Sequence, residues 1–429
     1  MTSYSPIWRP FTQMKTAPEP LKVVRGHGAI LKLEDGTEII DCISSWWVNI
    51  HGHSNPEIAK AIYEQAIHLE HVMFAGFTHD PAEVLAARLL PHFPASLRKI
   101  FYSDNGSTAV EVALKMAYQY WYNKGQADRD RFIGFEGGYH GDTVGAMSIA
   151  GSSAFWQRYK RMMPEFDAVA YPLRSDDATK TEEHEAETFK QLKKLVSSKK
   201  KKYAAVCIEP LVQGAGGMRM CSEEFLVKLQ KFCRDNDLLL IFDEVMTGFG
   251  RTGDWFAAKK VNVEPDIMCV SKGITGGFLP LAITACAERI YESFLSDDPQ
   301  DMFAHGHSYT ANPIACAAAV KSLELLEADT RPFTEMENKH RAYAGEYLAN
   351  IKSISNLRYC GTIVAFEVEG GGGGNTYYNE LGPVLRQKFL EEGLLIRPLG
   401  NTVYLMPPYC ISENLSFIYY KIAKVINSL

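Results

Sequence analysis

Five short apolar runs, at residues 100–102, 131–135, 204–208, 238–242 and 267–270, punctuate this 429-residue chain. Each is bounded by polar or glycine-rich residues, and helical periodicity fills most of the intervals. Runs this short with helices between them predict an α/β domain, its mostly parallel sheet covered by helices. In such sheets ligands bind at the carboxyl ends of the strands, so residues just after each run are the first candidates for function. A further run at 281–286 follows residue 270 after only about ten residues, Ser271 to Pro280, rich in glycine. A parallel crossover needs a dozen or more residues, so this run is expected to return antiparallel and make the sheet mixed.

Composition narrows the function classes. Hydrophobic content of 46% and charged content of 22% fit a folded globular protein, and the length allows two domains. A net charge of −6 offers no footprint for nucleic acid or an anionic membrane. No apolar run reaches the roughly 18 residues of a spanning helix. The first ten residues carry Trp8 and Arg9 instead of a secretory pattern, so a cytoplasmic protein is expected. Nine scattered cysteines without a Cys-x-x-Cys pair argue against a disulfide framework or zinc ribbon. The histidine pairs His51/His53 and His305/His307 lack a third ligand at suitable spacing, so no metal is expected.

Residues 174–202, dense in charge and closing on Lys199 to Lys202, read as a solvated helix plus turn; the five glycines at 370–374 read as a flexible loop. Residues 53–320 are expected to form the large domain. Residues 1–52 and 321–429 are expected to form a smaller α+β domain built from both chain ends.

Chemistry enters with two strand ends. Leu238-Leu239-Leu240-Ile241-Phe242-Asp243 delivers a carboxylate to the ligand edge, and Ile267-Met268-Cys269-Val270-Ser271-Lys272-Gly273 delivers an amine. Each alone has an ordinary explanation, a solvent-facing charge. Together they suit pyridoxal phosphate, which needs a lysine for its aldehyde and an acid for its ring nitrogen. Burial would lower the amine's pKa, as a carbonyl-reacting lysine requires. A phosphate site is expected where the strand at 100–102 runs through Asn105-Gly106-Ser107-Thr108 into a strong helical pattern. There Gly106 permits close approach, Ser107 and Thr108 suit capping, and free amides face an anion. In Gly137-Gly138-Tyr139-His140-Gly141-Asp142, Tyr139 could lie flat on a planar cofactor, with His140 in a supporting role.

With those residues placed, the chain resembles the class III aminotransferases of pyridoxal-phosphate fold type I. The resemblance rests on the run from Ile241 through Asp243-Glu244-Val245-Met246-Thr247-Gly248-Phe249-Gly250-Arg251-Thr252 to Gly253, with Ser271-Lys272-Gly273 after it. Within the class it is most similar to the transaminases that aminate 8-amino-7-oxononanoate in biotin synthesis. Those motifs are Ser44-Ser45-Trp46-Trp47, His71-Val72-Met73-Phe74, Val212-Gln213-Gly214-Ala215-Gly216-Gly217-Met218-Arg219 and Ile396-Arg397-Pro398. The likeness spans Trp8 to Tyr409, nearly the whole chain.

The resemblance implies that Lys272 carries the cofactor, Asp243 pairs with its ring nitrogen, Gly106 and Ser107 hold its phosphate, and Tyr139 stacks on the ring. It implies a substrate pocket lined by Phe11, Trp46, Tyr139 and Gly306, with Arg397 binding the substrate carboxylate through its fork of donors. Gly306, His307 and Ser308 match a segment that reaches a neighbouring subunit's phosphate, which implies a homodimer with shared sites. Two departures bear on the amino donor. Phe11 stands where S-adenosylmethionine users commonly carry tyrosine, and His307-Ser308-Tyr309 replaces their Pro-Thr-Phe. Both look like members that use lysine, whereas Trp46-Trp47 looks like the adenosylmethionine users. An ω-amino acid transaminase or aminomutase of the same class, and a non-catalytic cofactor-binding protein, are the competing readings.

Overall fold

The apolar runs all become strands of one sheet. In the computed structural model, which describes residues 5–151, 156–198, 202–371 and 379–429, these are β1 (Leu97–Ser103), β2 (Arg129–Phe135), β3 (Asp167–Val169), β4 (Lys202–Ile208), β5 (Leu239–Asp243), β6 (Ile267–Val270) and β7 (Ala282–Ala287). They lie in the order β1-β7-β6-β5-β4-β2-β3. β7 runs antiparallel to both its neighbours and the remaining pairs are parallel, so the return after the glycine-rich link is as expected. β3 had no sequence signal: at three residues on the sheet's edge it is too short to show a period.

Both faces of the central strands are covered. Along β5 every residue is buried, and alternate side chains enter different clusters. Leu240 and Phe242 pack with Val206 and Val270, while Leu239 and Ile241 pack with Ala113 and Ile267. Burying such a side chain is worth roughly 1.5–3 kcal/mol, which is why the strands read as unbroken apolar runs. All nine cysteines are free thiols, and all but Cys410 are buried.

The helix α1 (Gly106–Asn123) follows β1 and lies against the sheet through Ala109, Val110, Ala113 and Ala117. Its cap is Asn105 rather than Ser107. The Asn105 Oδ1 accepts from the Thr108 amide at 3.1 Å, and the Thr108 hydroxyl accepts from the Asn105 amide at 3.2 Å. This reciprocal box leaves Ser107 free for another role.

Residues near both chain ends share a core. Ile40 and Cys42 pack in one cluster with Val364, Phe366, Leu394 and Leu405. Leu394–Leu395 adds parallel to Glu38–Asp41, at the edge of the antiparallel strands Val23–His27, Ile30–Leu33 and Glu38–Asp41. The charged stretch forms a helix, Ala178–Val196, that is not wholly solvated: Glu185, Thr188 and Leu192 are buried. Of the lysine run, residues 199–201 lie outside the described residues, as do residues 372–374 of the glycine run. Among the described residues no helix is long and apolar enough to cross a membrane, and no group of three or more His, Cys, Asp or Glu side chains could hold a metal ion.

Candidate active site

The carboxyl ends of β5 and β6 open onto a cavity of about 480 Å3, whose walls include Gly106, Ser107, Tyr139, His140, Glu209, Asp243 and Lys272. Asp243 ends β5 with its carboxylate buried. One oxygen, Oδ2, accepts from His140 Nδ1 at 2.6 Å, and Oδ1 accepts from the Val245 amide at 3.1 Å. Burial alone would push the His140 pKa down. The hydrogen bond and charge of Asp243, helped by Glu209, more than offset this and raise it. His140 thus offers the Asp243 carboxylate a buried hydrogen-bond partner.

Lys272 leaves β6 in the left-handed region, at φ +45°, a conformation that a non-glycine residue adopts only when its surroundings hold it there. Desolvation lowers the pKa of its amine, although Asp243 and Glu209 pull the other way. The ammonium nitrogen lies 4.8 Å from the centre of the Trp47 ring. Trp47 is itself buried and donates from Nε1 to the Tyr404 hydroxyl at 3.0 Å.

Opposite, the start of α1 contributes Gly106 and Ser107. A Cβ on Gly106 would lie 2.6 Å from Val245 Cγ1, so only glycine lets this turn sit against the strand end. The Ser107 hydroxyl accepts from the Asp142 amide at 3.2 Å. Gly141, at φ +126°, is pressed so close that an added Cβ would lie 2.1 Å from Ser107 Oγ. The free amides of α1 and its dipole make this corner anion-seeking.

Tyr139 forms one wall. Its ring stacks on Trp156 with centroids 5.8 Å apart, and its hydroxyl donates to Asp142 at 2.9 Å. Its backbone amide donates to Glu209 at 2.9 Å, and the other Glu209 oxygen accepts from Gly214 at 2.9 Å. Glu209 was not anticipated, although it follows β4 as Asp243 closes β5. The same rule, an acid just past a buried strand, would have found it. Burial raises its pKa, with Asp243 adding to the effect and His140 opposing it.

A second cavity of about 230 Å3 adjoins the first through Trp47, Tyr139 and Lys272, and also touches Phe11, Trp46 and Arg397. The Arg397 guanidinium lies 4.8 Å from the centre of the Trp46 ring, and Phe11 meets the same ring edge-on at 5.6 Å. Trp47 lines both cavities, a role expected only of Trp46. The Gly306-His307-Ser308 segment borders neither cavity: Gly306 and Ser308 are exposed, and His307 Nδ1 accepts from the Tyr309 amide at 3.2 Å.

The tryptophan pair sits on unusual backbone. Ser44, Ser45, Trp46 and Trp47 have φ of +51°, +45°, +77° and +76°, a single left-handed turn closed by the Val48 amide on the Ser44 carbonyl at 3.0 Å. Each such residue costs roughly 1–2 kcal/mol relative to the right-handed form.

An amine without hydrogen bond or ion pair among the described residues, a buried carboxylate on the same cavity, an aromatic wall and a helix start together fit a flat ring bearing a phosphate, an aldehyde and a basic nitrogen. The comparisons agree. Residues 12–426 match the family "Aminotransferase class-III". An adenosylmethionine-8-amino-7-oxononanoate aminotransferase of Synechococcus elongatus is 48% identical over 100% of both chains, and one of Geobacter sulfurreducens is 38% identical over 99% of this chain and 96% of its own. The crystal structure of the enzyme of that name from Methanocaldococcus jannaschii superposes with a TM-score of 0.89 at 33% identity, covering 98% of this chain and 97% of that one. An amine transaminase from an uncultivated Pseudomonas species, solved in its PLP-bound form, gives 0.90 at 27% identity over 100% of this chain and 99% of its own. With its sheet, its amine and acid on one cavity and its full-length relatives in agreement, the chain belongs to the class III aminotransferases.

Proposed function

We propose that this enzyme, with pyridoxal phosphate, converts 8-amino-7-oxononanoate to 7,8-diaminononanoate in biotin synthesis, taking the amino group from S-adenosylmethionine. The observation that carries the chemistry is the placing of Lys272 and Asp243 on one cavity. What carries the substrate is the full-length identity of 48% to an aminotransferase named for it.

When bound, pyridoxal phosphate supplies a pyridine ring that stabilises negative charge at the carbon losing its proton. Lys272 would hold the cofactor and would serve as the base for the donor's α-proton; its lowered pKa favours the neutral amine that both tasks need. Asp243, hydrogen-bonded to His140, would pair with the ring nitrogen. Gly106 and Ser107 would hold the phosphate at the start of α1, and Tyr139 would stack on the ring. Trp46 and Phe11 line the substrate pocket, where Arg397 binds the carboxylate of the substrate.

A second reading keeps the reaction and takes lysine as donor. It is favoured by the apolar ring of Phe11 at the mouth of the outer cavity, and by His307-Ser308-Tyr309. The exposure of Gly306 and Ser308, away from their own chain's cavity, supports a homodimer in which this segment, including His307, serves the neighbouring site. Gly306 would then complete the neighbour's substrate pocket. The core shared by the two chain ends supports a small domain of residues 1–52 and 321–429 around a large one of 53–320.

The test is to incubate the cofactor-loaded protein with 8-amino-7-oxononanoate and either S-adenosylmethionine or lysine. Formation of 7,8-diaminononanoate is expected with S-adenosylmethionine. Product from lysine alone moves the donor assignment, and no product from any donor refutes the substrate.

A further inference from the structure

The left-handed turn at 44–47 needs something to hold it, because a short stretch of ordinary residues does not choose that conformation unaided. Asp41, fully buried at 0% exposure, stands beneath it. Its Oδ1 accepts from the Ile43 amide at 3.1 Å, just before the turn. Its Oδ2 accepts from the Ser45 hydroxyl at 2.7 Å, inside the turn, and from His53 Nε2 at 2.9 Å, beyond it. His53 Nδ1 in turn pairs with Asn49 Nδ2 at 3.0 Å, which extends the network past the turn. One carboxylate therefore ties together the entry, the interior and the exit of the strained segment.

The turn has a directional consequence. Consecutive residues in left-handed backbone send their side chains where a right-handed turn could not. Trp46 reaches Arg397 and Phe11 at the outer cavity, while Trp47 reaches Lys272 and Tyr404 between the two. Asp41 borders neither cavity.

We infer that Asp41 is a positioning residue for transamination: by clamping the left-handed turn it aims Trp46 and Trp47 at the substrate. This rests on the reading of the cavities as a transaminase site, yet it makes a claim about the turn that can be measured without turnover. A charged acceptor with three partners holds more firmly than an amide, which can accept at only one atom. Asp41→Asn therefore loosens the turn, and Ser45→Ala removes a single tie.

The experiment compares parent, Asp41→Asn, Ser45→Ala and Asp41→Asn/Ser45→Gly by near-ultraviolet tryptophan circular dichroism without cofactor, and by steady-state kinetics with it. Both single variants are expected to change the tryptophan bands while the far-ultraviolet spectrum stays that of the parent. The Asp41→Asn enzyme is expected to raise the substrate KM about tenfold with a much smaller effect on kcat. Glycine adopts positive φ without penalty, so Ser45→Gly is expected to restore much of the KM in the Asp41→Asn background. A residue with a merely structural role would show no such rescue. Unchanged tryptophan bands in Ser45→Ala and in a folded Asp41→Asn overturn the inference, as does an unchanged KM beside an active parent. A parent inactive with every amine overturns the transaminase reading instead, and the spectra still judge the turn.

Discussion

His140 and Asp243, on different elements and both buried, meet at 2.6 Å behind the cavity that also contains Lys272. Neither ring nor carboxylate is open to solvent, so their hydrogen bond acts in a medium of low dielectric.

Replacing His140 with Ala leaves the Asp243 oxygen without its donor. A hydrogen bond between charged groups contributes about 1.5–3 kcal/mol, so kcat/KM for transamination is expected to fall about 10- to 100-fold. Steady-state kinetics of the cofactor-loaded variant would measure it; a change below twofold would remove His140 from the mechanism. The pair also has a pH signature. The folded-state pKa of His140 is raised above its ordinary 6.5, so its stabilising contribution is complete below that value and is lost as pH rises through the folded-state pKa. The melting-temperature gap between parent and variant should therefore narrow toward alkaline pH.

Lys272→Ala is expected to abolish covalent attachment of the cofactor and to lower transamination by about 1,000-fold or more, the range of a lost acid–base group together with a lost attachment. Absorbance of the cofactor-loaded protein and single-turnover assays would report the two losses separately. Full activity in this variant is incompatible with the proposed site.

Gly141→Ala places a methyl group against Ser107, where a Cβ would lie 2.1 Å from the hydroxyl oxygen. Either Ser107 moves or the loop carrying Tyr139 does. Cofactor affinity is expected to weaken about tenfold, as read by titration of the cofactor-free protein with pyridoxal phosphate. Equal affinity would show that this corner does not hold the phosphate.

Glu244, next to Asp243, is buried and accepts from the Ala257 and Ala258 amides at 2.8 Å each and from the Thr247 hydroxyl at 2.9 Å. Desolvation raises its pKa from 4.5 to about 7 despite those donors. A raised carboxyl pKa means the folded state binds the proton more tightly. Its contribution to stability is therefore complete below 4.5 and is lost as pH climbs toward 7. Glu244→Gln removes this titration and leaves an amide without an acceptor, for a loss of about 1–3 kcal/mol. Urea unfolding at acid and neutral pH is expected to show the gap to the parent narrowing as pH rises. A gap that widens would contradict the assigned shift.

Phe11→Tyr adds a hydroxyl at the outer cavity, beside Trp46. It is expected to raise kcat/KM for S-adenosylmethionine relative to lysine by about tenfold, the worth of one hydrogen bond. Competition between the two donors measures the ratio directly, and an unchanged ratio would free Phe11 of any part in donor choice.

The reach of sequence reasoning differed from residue to residue. The ends of β5 and β6 were legible because a buried strand writes itself as an apolar run and stops at a charge. The antiparallel β7 was legible because ten residues cannot make a crossover. The Asn105 cap was misread because Asn, Ser and Thr all suit that place and only the backbone angle selects one. Trp47 escaped because its role depends on the hand of a turn, whereas Glu209, just past β4, lay within reach of the rule that found Asp243.

Local chemistry thus determined, from residue order alone, the longer strands of the sheet, the presence of α1 after β1 and the pairing of an amine with an acid. Packing between distant segments decided the rest: His140 beside Asp243 and Glu209 at the Tyr139 amide. Those contacts join positions as far apart as 103 and 70 residues in the chain. No window of sequence carries them, because their free energy exists only once the intervening segments are buried together.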